Sequence, residues 1–285
     1  MSDKMKNLLI RTASGAVLIA IFAGAVWSRW SFGALLLAIM IGCSAEFYRL
    51  CNKGGIRPQK VAGMICNIVL FVLGFILLAI FDGSTGSVPQ YAAGMIFPLA
   101  LYFTVMLPLI FICELWHRSG TPIANIATTV AGVVDVAVPM SMLLFIPSML
   151  SGERWSEAML GFMAIVWCND VFAYLAGSTF GRHKMAERIS PKKSWEGFAG
   201  GIAGAVLIGW AMSLLLDGSV AVWCGLAAVT AVTGVAGDLV ESMFKRSVGV
   251  KDSGSIMPGH GGWLDRFDAL LIATPFAFVY LLLVL

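Results

Sequence analysis

VAGMICNIVLFVLGFILLAIF, running from Val61 to Phe81, carries no charged side chain in 21 residues. At about 1.5 Å of rise per residue, a helix of that length crosses the roughly 30 Å of bilayer hydrocarbon. Backbone polar groups have no water to bond there, which leaves only helices or a closed barrel. The run is continuously apolar rather than alternating, and that pattern predicts a helix. Similar runs lie on either side of it, near 8–27, 30–48, 91–113, 123–150, 158–180, 197–216, 219–241 and 266–285. Together they predict an all-α, polytopic integral membrane protein with about nine spans. Composition agrees: 59% of the 285 residues are hydrophobic and 12% are charged, against about 25% charged in a soluble domain. A water-soluble catalytic or binding domain is thereby excluded. The least regular run is 123–150, where Pro139 and Pro147 interrupt and Asp135 sits inside. Ile10 to Val26 is long enough to remain as a span, so a cleaved leader is not expected.

Basic residues give the orientation. With nine spans, 17 of the 19 Lys and Arg residues fall on the side of the N-terminus, and only Arg29 and Arg154 lie opposite. The positive-inside rule then puts the N-terminus and the polar loops in the cytoplasm. For a bacterial chain this means the inner membrane, with its chemistry facing inward. The six cysteines are dispersed in or beside apolar runs and read as packing residues rather than disulfides. The three histidines form no zinc spacing. Trp27, Trp30, Trp116, Trp155, Trp195 and Trp263 sit near span ends as an aromatic belt. Glycines at four-residue spacing (177/181, 197/201, 200/204) read as close helix packing or as a homodimer face.

Polar content divides the chain. Residues 1–157 are spans with short connections, suited to support, dimer contact or lipid access. Glu46 and Arg49, three apart near a helix end, read as an interfacial pair. Asp135 is either a functional acid within a span or an interfacial residue of a shorter helix. Residues 158–285 add two dense polar segments, near 181–196 and 242–265. Asp238 closes one span, while Asp265 and Asp268 open the next, three apart and so on one helix face. Converging carboxylates repel unless a cation sits between them, and a hard divalent ion such as Mg²⁺ shared with a phosphate fits. The competing reading is separate ion pairs, such as Asp265 or Asp268 with Lys245 or Arg266. Lys245, Arg246, Lys251 and Arg266 lie beside these acids, so both halves of a metal–polyphosphate complex find partners. Ser190-Pro191 reads as a helix start, and with Arg182, Lys184, Lys193 and Ser194 nearby it suits an anion. The alternative is a surface helix whose lysines face lipid heads. Neither GxxxxGK[ST] nor a strand-borne GxGxxG is present.

These residues carry a resemblance. Ser242, Lys245, Arg246, Lys251, Asp252, Pro258, His260, Gly261, Gly262, Asp265, Arg266 and Asp268 fall in the spaced pattern of the phosphatidate cytidylyltransferases, or CDP-diacylglycerol synthases. Trp167 with Asp170, Gly177 with Gly181, and Ser190-Pro191-x-Lys193-Ser194 also look like that family. Met257 and Trp263 stand where aliphatic residues are expected, and both remain apolar. The likeness is good over about 160–285 and general before that. It implies transfer of a cytidylyl group from CTP to phosphatidic acid, giving CDP-diacylglycerol and pyrophosphate in phospholipid biosynthesis. It also implies Mg²⁺ and a monovalent cation such as K⁺, with membrane lipids as partners and no nucleic acid. Asp238, Asp265 and Asp268 would then hold metal. Lys193, Arg182, Lys184, Lys245, Arg246, Lys251 and Arg266, with Ser190 and Ser194, would contact substrate phosphates. His260 would bond the leaving pyrophosphate or fix its loop, and Asp170 would be a further site carboxylate or a lysine's partner. A cytidylyltransferase acting on another lipid phosphate stays open. A secondary transporter is disfavoured, because its ligands would sit at the bilayer midplane between similar halves.

Overall fold

The computed structural model describes residues 3–82, 88–117, 119–151, 153–256 and 261–285, with side chains from Ser14 onward except at 81–89. The expected runs appear as helices: α1 (Asp3–Ala25), α2 (Arg29–Lys53), α3 (Lys60–Asp82), α4 (Val88–Leu101) and α5 (Leu107–His117). There follow α6 (Pro122–Gly132), α7 (Val138–Leu143), α8 (Ile146–Leu150), α9 (Trp155–Phe180), α10 (Trp195–Leu215), α11 (Val220–Ser247) and α12 (Leu264–Val284). Among the described residues eight helical stretches are long and apolar enough to cross a membrane. The ninth expected span corresponds to α1, of which Ser14–Ala25 is a shorter apolar helix. The protein is an all-α polytopic membrane protein. Its outward side chains fit that solvent, with Leu115 76% and Phe103 56% exposed.

Among the described residues two spans contain a π turn, and both have the same cause. Tyr102–Met106 joins α4 to α5, and Val133–Ala137 joins α6 to α7. The N–H of Leu107 reaches back to Tyr102 O, and that of Val138 to Val133 O. In each case the next residue is proline, Pro108 or Pro139. A proline ring has no N–H to give and crowds the carbonyl four residues earlier. A wider turn before it relieves the clash without ending the helix. The irregularity expected around Pro139 is therefore a bulge, with a break only after Leu143. Pro147 then sits in the first turn of α8, where no N–H is needed.

The chain packs as two compact units, each gathered from three stretches. The first comprises Met1–Val72, Pro98–Met140 and Phe244–Phe267, and the second Leu73–Phe97, Ser141–Met243 and Asp268–Leu285. The division expected near residue 157 was one of polar content, whereas these units are defined by packing. In the first unit Tyr48 is 1% exposed and donates its hydroxyl to Thr129 O at 3.1 Å. Its ring lies against Gly63 and Gly132, where any side chain would collide with it. In the second unit α10 turns Gly197, Gly200, Gly201 and Gly204 toward α9. A Cβ at Gly201 would fall 2.6 Å from Asn169 Oδ1, and one at Gly197 would fall 2.8 Å from Ala173 O. The glycine stripe thus serves packing within the chain, as small residues do between membrane helices.

Candidate functional site

The expected helix start at Ser190-Pro191 is corrected by the structure. Lys184–Ala186 (β1) and Ser190–Ser194 (β2) form an antiparallel hairpin, and α10 begins four residues later than Pro191, at Trp195. Pro191 is tolerated because a two-stranded ribbon has only edge strands. Ser194 is the cap: its Oγ accepts from Gly197 N at 3.2 Å. Glu196, in the first turn of α10, accepts from the backbone N–H of Arg182 at 3.1 Å and of His183 at 3.2 Å. It also meets His183 Nδ1 at 2.6 Å, and Trp195 N donates to His183 O at 2.9 Å. Glu196 therefore clamps the base of the hairpin to the head of α10.

The hairpin holds its lysines over a cavity of about 510 Å³ in the second unit. Lys184, Lys192, Lys193, Ser190 and Ser194 line it from the hairpin, Asp170 from α9 and Asp238 from α11. Lys193 Nζ sits 2.7 Å from Asp238 Oδ2 and donates to Val235 O at 3.3 Å. Ser242 Oγ, one turn on from Asp238, donates to its Oδ1 at 3.2 Å. Asp268 lies close enough to Asp238, Glu241 and Asp170 to feel all three charges. Gly237 makes that approach feasible, since a Cβ there would lie 2.5 Å from Asp268 O. Asp170 and Asp238 thus line the cavity together with three hairpin lysines, and the charge of Asp268 interacts with both acids.

Asp265 is placed differently from its neighbour Asp268. In the first unit its Oδ1 accepts from Lys245 Nζ at 2.6 Å. Its Oδ2 accepts from Ser253 N and Ser253 Oγ, both at 2.9 Å, and from Gly262 N at 2.8 Å. Asp265 organises the segment before α12, and the ion pair with Lys245 is the alternative pairing weighed from sequence. Among the described residues no group of three or more His, Cys, Asp or Glu side chains forms a ready metal cage. Arg246 donates to Val250 O at 2.9 Å, within its own turn. Arg182, Lys251 and Arg266 are exposed and do not line the cavity. His260 lies outside the described residues.

Glu46 is the residue that sequence reasoning misplaced. Rather than facing the interface beside Arg49, it is 3% exposed within the first unit. It accepts from Ser253 Oγ at 2.7 Å and from Leu264 N at 3.0 Å, where α12 begins. Gly254 and Gly262 pack directly on its carboxylate and leave no room for a side chain. An acid late in an apolar span was the available signal, and its spacing to Arg49 obscured it.

These features define a class: a multi-span membrane protein carrying a cation-and-carboxylate cavity at one set of helix ends, with oxygen donors and lysines suited to phosphate groups. A model of the cytidylyltransferase family matches residues 9–284. The chain belongs to the cytidylyltransferase family. It is similar to proteins named phosphatidate cytidylyltransferase. One, from Staphylococcus aureus (strain COL), is 48% identical over 113 residues, covering 39% of this chain and 44% of the relative. Relatives of the same name from Staphylococcus saprophyticus subsp. saprophyticus and Staphylococcus epidermidis (strain ATCC 12228) are 45% and 48% identical over the same length. The chain thus matches less than half the length of these relatives.

Proposed function

We propose that this protein transfers the cytidylyl group of CTP to phosphatidic acid, giving CDP-diacylglycerol and pyrophosphate. The observation that carries the reading is the Lys193–Asp238 pair in the second unit's cavity, with Asp170 and Asp268 beside it. At rest the two charges satisfy each other. With substrate bound, Asp238 would be available to hold a metal ion and Lys193 to hold a phosphoryl oxygen. Family membership and the names of the relatives point the same way.

The reaction asks little of acid–base chemistry. A phosphomonoester has its second pKa near about 6, so its oxygen is largely ionised at neutral pH. That oxygen attacks the α-phosphorus, the bond from that phosphorus to the bridging β-oxygen breaks, and pyrophosphate leaves with the electron pair. The obstacle is repulsion between two polyanions, so catalysis is positioning and charge neutralisation. Lys184, Lys192 and Lys193 supply positive charge on a hairpin that Glu196 holds in place, and Ser190 offers a hydroxyl.

Asp238 and Asp268, with Asp170 adjacent, are an oxygen-only donor set, which suits Mg²⁺. That ion is held by one or two carboxylates plus substrate phosphates, so a complete protein cage is not required. When bound, it would draw the negative charge from the triphosphate. The surrounding acids leave room in the charge balance for a monovalent cation such as K⁺. In this reading Asp265, assigned to metal from sequence, orders the segment before α12 together with Lys245. The one-sided distribution of Lys and Arg supports a cytoplasmic site in the inner membrane, where CTP is available.

The test uses purified protein in detergent with radiolabelled CTP, phosphatidic acid and Mg²⁺. A CDP-lipid is the expected product, lost in Asp238→Asn and Asp268→Asn. Most activity surviving in both variants would remove the site assignment, and absence of any CDP-lipid from the native protein would remove the function.

A further inference from the structure

A second cavity, of about 900 Å³, opens in the first unit. It lies where α2 ends, α3 begins and α5 ends, so its mouth is at the boundary of three membrane-spanning helices. We propose that it holds one anionic glycerophospholipid by its phosphate, as a resident lipid that takes no part in turnover.

Two exposed cations line this space, Arg57 from the short turn between α2 and α3 and Lys60 from the first residue of α3. What sets them apart from ordinary interfacial lysines is the rigidity of that turn. Arg57 N donates to Asn125 Oδ1 at 2.9 Å, and Gln59 N donates to Thr129 Oγ1 at 2.9 Å. Gln59 is 7% exposed, and its Nε2 donates to Glu114 Oε2 at 2.6 Å and to Ile110 O at 2.9 Å. The backbone of the turn is therefore bolted to α5 and α6 through a buried polar network, which fixes the points from which the exposed Arg57 and Lys60 side chains extend.

Glu114 adjoins the lining residue Cys113 in sequence, and its carboxylate oxygens are already hydrogen-bonded. Asn125 Nδ2 donates to its Oε1 at 2.7 Å, Gln59 reaches Oε2, and His117 Nδ1 lies 3.0 Å from the same oxygen. The mouth presents two exposed cations, Arg57 and Lys60, which are complementary to a phosphate. Along the helices the walls turn apolar and open outward: Val61 is 75% exposed, Ile65 53% and Trp116 72%. A charged head above exposed apolar walls at a span end fits a phospholipid with its acyl chains lying along α3 and α5. The volume is within the range of about 300–1,000 Å³ usual for small-molecule sites.

Native mass spectrometry of the full chain in neutral detergent tests this without any turnover. Phosphatidylglycerol and phosphatidylcholine of matched acyl chains are titrated in, and the wild type should retain the anionic lipid preferentially as one equivalent. Arg57→Gln/Lys60→Gln should weaken that retention by roughly tenfold or more. Lys53→Gln removes a neighbouring charge from the same helix end but not from the cavity, and should leave retention unchanged. Equal retention of both lipids by the wild type would overturn the proposal and needs no variant to interpret. So would a loss in Lys53→Gln matching that of the double variant, which would mean diffuse charge attraction. Displacement of the lipid by millimolar inorganic phosphate would show a site for free phosphate instead.

Discussion

Removing the Glu46 carboxylate should loosen the segment that leads into α12. Two donors reach it, Leu264 N at 3.0 Å and, at 2.7 Å, Ser253 Oγ, whose proton it shares with Asp265 Oδ2, and the acid is 3% exposed. Hydrogen bonds to a charged group contribute about 1.5–3 kcal/mol each, offset by the relief of no longer burying a charge. Glu46→Ala should therefore cost about 2–3 kcal/mol of local stability, since Leu264 N loses its acceptor in a buried setting and Ser253 Oγ is left with Asp265 Oδ2 alone. Because 1.4 kcal/mol is tenfold, that is roughly a 30- to 150-fold rise in the local opening constant. Hydrogen exchange read by mass spectrometry on peptides covering Ser253 and Leu264 measures it directly. Glu46→Gln keeps the shape and one accepting oxygen, so its effect should be several-fold smaller. Exchange at Leu264 that stays within about threefold of the native protein in Glu46→Ala would refute the clamp, because that residual corresponds to well under 1 kcal/mol.

Other expectations concern the second unit's cavity and its scaffold. Lys193→Met should lower CDP-lipid formation by about 10²-fold, as loss of one charge-stabilising donor commonly does; steady-state kinetics with CTP varied would show it. Chelation by EDTA should stop product formation and added Mg²⁺ should restore it, with helicity by circular dichroism unchanged throughout. Gly201→Leu should lower the melting temperature in detergent by a shift equivalent to about 1–3 kcal/mol, because its Cβ would sit 2.6 Å from Asn169 Oδ1 and overpack α9 against α10. Lys245→Met should leave Asp265 without its 2.6 Å partner and raise exchange at Ser253 and Gly262, while Asp265→Asn should do the same less severely.

The helices were legible because lipid imposes a single local rule, and uninterrupted runs such as 61–81 obey it. Span ends were read to within a few residues because charged residues mark them. The carboxylates and lysines of the cavity were legible as residue types, since no inert connection needs so many opposite charges. Their partners were not. Asp265 and Asp268 share a helix face by spacing, yet one turns to Lys245 and Ser253 and the other feels the charges of Asp238 and Asp170. That choice depends on contacts across long stretches of chain. Ser190-Pro191 misled because Ser-Pro marks a helix start and an edge strand equally well, and only the clamp from Glu196 to His183 decides between them. Glu46 escaped for a similar reason, as its partners are more than 200 residues away.

The bulge at Tyr102–Met106 gives that span one residue more than an α-helix of the same length would hold. Each residue advances the direction of a side chain by about 100°. Wound as a plain α-helix, Tyr102 and Glu114 would point about 120° apart, and one of them would be aimed at hydrocarbon. With the surplus residue absorbed, Tyr102, Ile110 and Glu114 are all buried. Pro108 thereby acts as a phase adjuster: by forcing a wide turn just upstream, it steers an acid two turns downstream away from lipid and into the polar network that steadies the turn around Arg57 and Gln59.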